Sequence, residues 1–181
     1  VLVDSQHHIE GAVAGHIKEA HRRGCEFVER RGSVVIPQRA EVVLVSAGGY
    51  PSDLNMYQAQ KALDNAAHAV CEGGVIIWVA ECSESLGNQI FECWLMEADS
   101  PQDMLDRIQR EFVLGGHKAA AMAAVMHKAS IFLVSTLPEE LVRACGLVPF
   151  GNLDRALDAA LAEVGQEAQV IALPQGGSVM P

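Results

Sequence analysis

Two apolar segments joined by an amphipathic helix limit the folds open to this 181-residue chain. Residues 41–47 and 75–80 are runs rich in Val and Ile, which are typical of strands buried in a parallel sheet. Between them, Met56, Leu63 and Val70 recur at helical spacing and mark the face that packs on the sheet. A helix of this length between two strands forms a crossover that joins them in parallel, and such crossovers are right-handed in nearly all cases. The sequence therefore predicts an α/β fold with a mostly parallel sheet.

The rest of the chain continues this alternation. Helices are expected on both faces of the sheet, in a Rossmann-like three-layer arrangement, and Gly73-Gly74 is interpreted as the end of the first crossover helix. Strands are predicted at 1–4, 33–36, 130–135 and 169–173, a turn at Gln6-His7-His8, and helices at 14–31, about 53–71, 87–96, 101–111, 118–127, from 138, and at 153–164.

The predicted domains divide the chain near residue 33. Residues 1–32 are predicted to form a strand and a helix, and residues 33–181 an α/β domain. Because the chain begins at Val1 within a strand-like segment, we expect it to be part of a longer protein.

Composition excludes several classes of partner. The net charge of −10 argues against nucleic acid, whose phosphates bind clustered Lys and Arg. No apolar run reaches the roughly 18 to 20 residues that span a bilayer, so no membrane partner is expected. The five cysteines are scattered without a C-x-x-C pair, which predicts neither a disulfide framework nor a zinc site and favours the cytoplasm. A homo-oligomer is compatible with the sequence.

The loop of residues 48–53 is the first candidate site. In open parallel sheets, ligands bind where the strands' carboxyl ends meet the following loops, here the loops after Ala47, Ala80, Ser135 and Leu173. Gly48-Gly49 permits close approach of backbone to a ligand, and Ser52 or Asp53 is expected to cap the following helix. An ordinary βα turn is the alternative interpretation.

The helix after this loop carries Gln58 and Lys61, three residues apart and away from the face that packs on the sheet, with Asn65 one turn further on. An amide and an ammonium near the positive end of a helix suit a carboxylate or another small oxyanion. The alternative is a pair of solvated polar side chains.

A second candidate is Gly115-Gly116 followed by His117-Lys118, which places backbone N–H groups and a cation at a helix start. A capped surface helix explains the same pattern. No metal site is expected in this chain, because neither the pair His7 and His8 nor the pair His16 and His21 has the spacing of helical metal ligands. Cys82 follows a strand, but the sequence shows no histidine placed to activate its thiol.

The segment GGYPSDLNMYQAQK, residues 48–61, resembles the signature of the C-terminal domain of the nickel-dependent lactate racemase family. The resemblance extends over nearly the whole chain and includes Ala14-Gly15, Ala20-His21, Gly73-Gly74-Val75-Ile76-Ile77, Ala80-Glu81-Cys82, Gly115-Gly116-His117-Lys118-Ala119, Leu133-Val134-Ser135 and Pro174-Gln175-Gly176-Gly177.

The resemblance implies half of a two-domain enzyme that inverts C2 of a 2-hydroxy acid by hydride transfer through a 2-keto acid. A nickel-pincer nucleotide would be held mainly by the missing N-terminal domain, and none is expected in this chain alone. By position, Gln58 and Lys61 would be catalytic and hold the substrate in an interdomain cleft, with Tyr57, Gly48 and Gly49 beside the cofactor. His117 and Lys118 would also bind substrate, and they stand near the point where lactate-specific members carry an aromatic residue. A larger or more polar hydroxy acid is therefore predicted as readily as lactate.

Two other functions stay open at this stage. A small-anion binding or regulatory domain without catalysis would use the same loop and helix. A Rossmann-type nucleotide-binding domain is disfavoured, because no G-x-G-x-x-G fingerprint occurs.

Overall fold

A computed structural model of the protein describes residues 1–3, 8–179 and 181. Asp4, Gln6 and His7, which belong to the predicted first strand and turn, lie outside the described residues. The elements, in chain order, are β1 (Leu2–Val3), β2 (Ile9–Gly11), α1 (Ile17–Gly32), β3 (Ala40–Ser46), α2 (Met56–Ala69), β4 (Val70–Val79), α3 (Gln89–Glu97), α4 (Pro101–Arg110), α5 (Gly116–Lys128), β5 (Ala129–Val134), α6 (Glu139–Ala144), β6 (Val148–Phe150), α7 (Leu153–Val164), β7 (Val170–Leu173) and a 3₁₀ turn (Gly176–Ser178).

Five strands form one parallel sheet in the order β6-β5-β4-β3-β7, and β1 and β2 form a separate antiparallel pair. In the centre of the sheet, Val43 lies opposite Ile76 on one side and Ile171 on the other. The carboxyl ends of β3, β4 and β7 therefore meet at one edge, which is where an open parallel sheet binds ligands. The predicted α/β fold with a mostly parallel sheet is confirmed.

Successive side chains of a β-strand point to opposite faces of the sheet. Alternate residues of the central strands therefore pack into two separate apolar clusters. Val45 and Trp78 point into the larger cluster, under α2 to α6, whereas Val42 and Ile77 pack on the other face against Ala156 and Ala160 of α7. Helices therefore cover both faces of the sheet, as predicted, with α2 to α6 on one face and α7 on the other.

The interpretation of Gly73-Gly74 as a helix end is wrong. Helix α2 ends at Ala69, and the glycines lie inside β4, where the pairing of β3 with β4 shifts register after Ala40. A Cβ atom on Gly74 would lie 2.6 Å from the carbonyl oxygen of Glu41, so the two backbones approach too closely for any other residue. The glycines allow this irregularity in the strand.

The predicted strand at 33–36 is also wrong. Ser33 makes a single bridge, Val34 and Val35 are exposed, and Ile36 packs against the larger cluster. Pro37 ends the apolar run and has no N–H group to donate to a neighbouring strand. Two short strands, β2 and β6, were not predicted. Among the residues that the structure describes, no helix is both long and apolar enough to cross a membrane.

A substitution at Gly116, at the start of α5, tests how tightly the larger apolar cluster is packed. A Cβ atom there would lie 2.5 Å from the indole ring of Trp94. We expect Gly116→Ala to lower the free energy of unfolding by about 1–3 kcal/mol, because the added methyl overpacks a buried contact. Chemical denaturation of the 181-residue chain measures this change.

Gly24→Ala is the matched control, because Gly24 lies inside helix α1 and its Cβ atom would meet only ordinary contacts. Alanine there is expected to be neutral or to stabilise by about 0.5–1 kcal/mol. Equal effects of the two substitutions would contradict the close contact with Trp94.

Candidate functional site

The loop after β3 folds back on itself through its own hydrogen bonds. Gly48 and Gly49 have positive φ angles of 99° and 76°, and a Cβ atom on either would meet no atom within 4 Å. The Gly48 N–H donates to Ser46 Oγ at 3.1 Å, and the Asp53 N–H donates to the Gly49 carbonyl at 3.2 Å. The two glycines therefore serve the turn and leave open space above it.

The second half of this loop is bound to the loop that follows β4. The Cys82 N–H donates to the Asp53 carbonyl at 2.9 Å, and the Glu84 N–H donates to the Leu54 carbonyl at 2.8 Å. The Asp53 carboxylate accepts from the Glu81 N–H at 3.3 Å. Asp53 thus joins the carboxyl ends of two neighbouring strands.

Helix α2 is capped by Asn55, so the expectation that Ser52 or Asp53 caps it is wrong. The Asn55 side chain accepts from the Gln58 N–H at 3.0 Å. The Met56 N–H donates to the Ser85 carbonyl at 3.0 Å and the Tyr57 N–H to the Leu86 carbonyl at 3.2 Å. Since these N–H groups of the first turn are occupied, a ligand must be held mainly by side chains.

An open cavity of about 870 Å³ lies beside this loop and helix. Gln58 and Lys61 both line it and are exposed, and their side chains make no hydrogen bond or ion pair with any described residue. Lys61 is the single charged residue among the described residues that line the cavity. The full set is Val3, Ala47, Gly48, Tyr50, Pro51, Ser52, Leu54, Gln58, Ala59, Lys61, Ala62, Gln175, Gly177 and Ser178. The cavity therefore combines one free cation with neutral hydrogen-bonding groups, which suits a small monoanion.

The packed face of α2 is as predicted, with Met56, Leu63 and Ala66 fully buried. Asn65, one turn beyond Lys61, donates from Nδ2 to the Gly176 carbonyl at 2.7 Å. The loop after β7 therefore rests against α2, and it brings Gln175 and Ser178 to the cavity. Sequence reasoning assigned these two residues no role, although it marked the loop after Leu173 as one of four ligand-binding positions.

The other predicted site residues lie outside the cavity lining. Lys118 donates from Nζ to the Tyr57 carbonyl at 2.8 Å, and its Nζ lies 4.6 Å from the centre of the Tyr57 ring. The edge of the same ring meets Phe91 at 5.7 Å. His117 accepts the Gly115 N–H on Nδ1 at 3.1 Å and stacks on Phe112. Lys118 thus contacts Tyr57, and His117 closes the turn before α5. Gly49 and Tyr57 also do not line the cavity.

A polar contact that the sequence did not predict lies within α2, near Lys118 of α5. Gln60 is fully buried and donates from Nε2 to Asp64 Oδ1 at 2.7 Å. Burial raises the pKa of Asp64, and the nearby Lys118 ammonium opposes that shift. Burial lowers the pKa of Lys118; the Asp64 carboxylate opposes this shift and Lys61 adds to it. The charges of Lys61, Asp64 and Lys118 are therefore coupled.

Two other chemistries were considered from the sequence. Burial is the main cause that raises the pKa of the Cys82 thiol to about 12, so this thiol is protonated near neutral pH and a poor nucleophile. Within residues 1–3, 8–179 and 181, no group of three or more His, Cys, Asp or Glu side chains could hold a metal ion.

Comparison with known proteins gives the family. The family model described as "Lactate racemase C-terminal domain" matches residues 35–181. The chain belongs to the lactate racemase family, as its C-terminal domain. It is 34% identical to a lactate racemase of Thermoanaerobacterium thermosaccharolyticum and 31% identical to one of Lactiplantibacillus plantarum, over 99% of its length in each case.

Solved structures agree with this assignment. The lactate racemase apoprotein of T. thermosaccharolyticum superposes with a TM-score of 0.89 at 33% identity, over 98% of this chain and 44% of that one. A Thermotoga maritima protein matches with a TM-score of 0.61 at 15% identity, over 90% of this chain and 41% of that one, which shows the fold alone. The chain spans 43% of the length of both lactate racemases it matches in sequence.

Lys118 in this lactate racemase domain gives a pH-dependent prediction. The folded protein holds the Lys118 proton less tightly than the unfolded chain, whose pKa is near 10.5. The contribution of Lys118 to the free energy of unfolding therefore rises as the pH increases from the lowered folded pKa towards 10.5. We expect wild type to gain stability relative to Lys118→Met over this range.

Urea denaturation of both proteins at a series of alkaline pH values measures the difference. The other titrating groups, among them Lys128, Cys82 and Cys145, are common to both proteins and largely cancel. A difference that stays constant up to pH 10.5 would contradict a lowered pKa of Lys118.

Proposed function

We propose that this chain is the substrate-orienting half of a racemase or epimerase of 2-hydroxy acids, which inverts C2 by hydride transfer through a 2-keto acid. The observation that carries the proposal is the pair Gln58 and Lys61, which line one cavity and whose side chains have no partner among the described residues. Membership of the lactate racemase family supports the reaction class. The chain's share of its relatives' length supports a cleft completed by an N-terminal domain.

In this proposal Lys61 pairs with the substrate carboxylate. Its ammonium is the single charge on the described lining, and no carboxylate there competes for it. Gln58, one helical turn earlier, offers an amide that can accept from a hydroxyl at C2 and donate to a keto oxygen. Both side chains stand on one helix fixed by the Asn55 cap, so their separation is set before substrate arrives.

We propose that Gly48, Gly49 and Tyr57 lie against a nickel-pincer nucleotide held mainly by the N-terminal domain. The glycines fit this role because the space above them is open, and the described residues of the cavity lining carry no negative charge to repel a phosphate. When bound, the nucleotide supplies the acceptor that takes the C2 hydrogen as hydride and returns it. Because Lys118 contacts Tyr57, we propose that it acts by positioning Tyr57, while the Phe112–His117 stack keeps His117 at the helix start.

We also propose that residues 1–32 link to, or pack on, the N-terminal domain. Val1, Ile17 and Val28 are between 53% and 79% exposed, and they border an apolar groove of about 820 Å³ along α1. Exposed apolar surface of this kind is typical of an interface. All five cysteines are free, which supports a cytoplasmic location for the parent protein.

Inversion of 2-hydroxy acids by the nickel-loaded parent protein, in heavy water, tests the reaction. We expect optical inversion with retention of hydrogen at C2, because a hydride that moves to the cofactor and back does not exchange with solvent. Lys61→Ala should lower kcat/KM by about tenfold to a hundredfold, since it removes a charged hydrogen bond. Arg155→Ala, which removes an exposed cation on α7 outside the cavity lining, is the matched control.

Proton NMR at C2 and polarimetry together separate the outcomes. Inversion with full uptake of deuterium at C2 would indicate proton abstraction and would contradict the hydride mechanism. Binding of hydroxy acids without inversion of any of them would favour the alternative, a small-anion binding or regulatory domain. An unchanged kcat/KM in Lys61→Ala would remove Lys61 from the site.

Hydrogen–deuterium exchange tests the contact with the N-terminal domain. We expect the amides of α1 to exchange more slowly in the parent protein than in the 181-residue chain, because docking covers the apolar groove. The amides of β4, in the centre of the sheet, are the internal reference. Equal exchange of α1 in the two proteins would contradict the docking.

A further inference from the structure

The loop after β7 borders the same cavity as Gln58 and Lys61. We propose that this C-terminal loop, residues 174–178, forms a second wall of the substrate site, and that Gln175 and Ser178 bind a hydroxyl group on C3 of the substrate. The preferred substrate is then a 2,3-dihydroxy acid, with lactate a weaker one. This inference rests on the proposed function and names the substrate class of that site.

The loop is fixed in place by contacts that leave its polar side chains free. The Asn65 amide donates to the Gly176 carbonyl at 2.7 Å, and the Ser178 N–H donates to the Gln175 carbonyl at 3.0 Å. Gly176 is buried, and a Cβ atom on it would lie 2.2 Å from Val45 Cγ2 and 3.0 Å from Ala62 Cβ. The loop therefore packs directly on β3 and α2, and glycine is the residue that this packing allows.

Gln175 and Ser178 project where a ligand would meet them. Both are exposed, line the cavity, and have side chains that make no hydrogen bond with any described residue. An amide and a hydroxyl can each donate and accept, which matches the hydrogen-bonding capacity of an alcohol. Because the loop is held by its backbone and by Asn65, binding has to order these side chains but not the backbone that carries them.

The charge of the lining argues for a hydroxyl group and against a second carboxylate. Among the described lining residues Lys61 is the single cation, and it is assigned to the C1 carboxylate. A second carboxylate would be desolvated against neutral partners, which is unfavourable. A neutral hydroxyl group is satisfied by Gln175 or Ser178. The described part of the lining therefore fits one negative charge and further alcohol groups.

Glycerate and 2-hydroxybutyrate are the probes, because they are nearly the same size and differ in carrying a hydroxyl or a methyl group on C3. We expect the parent protein to bind glycerate more tightly, by about threefold to tenfold, the worth of one ordinary hydrogen bond. Gln175→Leu and Ser178→Ala should each reduce this preference, by weakening glycerate and leaving 2-hydroxybutyrate unchanged. Gln166→Leu, an exposed glutamine on the loop before β7, should leave both unchanged.

Dissociation constants are measured by NMR titration of the nickel-free parent, and KM and kcat for both acids on the nickel-loaded parent. A preference for glycerate that falls in Gln175→Leu or Ser178→Ala supports the inference, even if neither acid is inverted and the proposed reaction fails. If both acids are inverted and the preference for glycerate over 2-hydroxybutyrate is the same in wild type, Gln175→Leu and Ser178→Ala, the inference is overturned. The proposed function then still stands. Failure to bind either acid overturns both.

Asn65→Ala tests the loop's attachment separately from its side chains. The variant keeps Gln175 and Ser178 but removes the donor to the Gly176 carbonyl. We expect the glycerate preference to fall as it does in Gln175→Leu, while 2-hydroxybutyrate binding through Lys61 persists. An unchanged preference would overturn the role of a fixed loop.

Discussion

The geometry of the site depends on the hydrogen bonds between the loop after β3 and the loop after β4. Asp53 and Leu54 accept from Cys82 and Glu84, and the Met56 N–H returns a bond to Ser85. These contacts fix where α2 begins, and the start of a helix fixes the direction of each side chain along it. Gln58 and Lys61 face the cavity for this reason, although neither takes part in the network.

The same network changes the role expected for the helix N-terminus. A free first turn would bind an anion through its own N–H groups, as many phosphate sites do. Here the N–H groups of Met56, Tyr57 and Gln58 are bound by protein carbonyls and by Asn55. The positive end of α2 still favours an anion nearby. The hydrogen bonds to that anion must then come from the side chains on the exposed face of α2. The choice of ligand then depends on residues that can vary without disturbing the fold.

Much of the fold was predictable because residues on the buried face of a helix or strand are apolar and recur at a regular spacing in the sequence. The central strands and the packed face of α2 were identified from apolar spacing, and the structure confirms them. The errors arise where a pattern has two physical causes. Gly73-Gly74 was read as a helix end, but the pair serves a close approach between strands. Short strands such as β6, three residues long, have too little sequence to show a period.

The site was predictable only in part, because contacts between distant segments leave no local signal. The spacing of Gln58 and Lys61 predicted a shared exposed face, and the structure brings both to one cavity. Nothing in the sequence near Gly176 reveals that Asn65, 111 residues earlier, binds its carbonyl. Similarly, His117-Lys118 has the composition of an anion site, but only the packing of α5 on α2 shows that Lys118 contacts Tyr57.

The two lysines near this site show how burial separates residues of equal charge. Lys61 is exposed and has no partner among the described residues, so its ammonium is available to a ligand. Lys118 is partly buried and bound to the Tyr57 carbonyl, and its pKa is lowered mainly by burial and also by the charge of Lys61. A carboxylate bound to Lys61 would offset that repulsion and favour the protonated form of Lys118. The protonated lysine is the form that attracts the Tyr57 ring, so the surroundings that set the pKa of Lys118 also affect how firmly that ring is held.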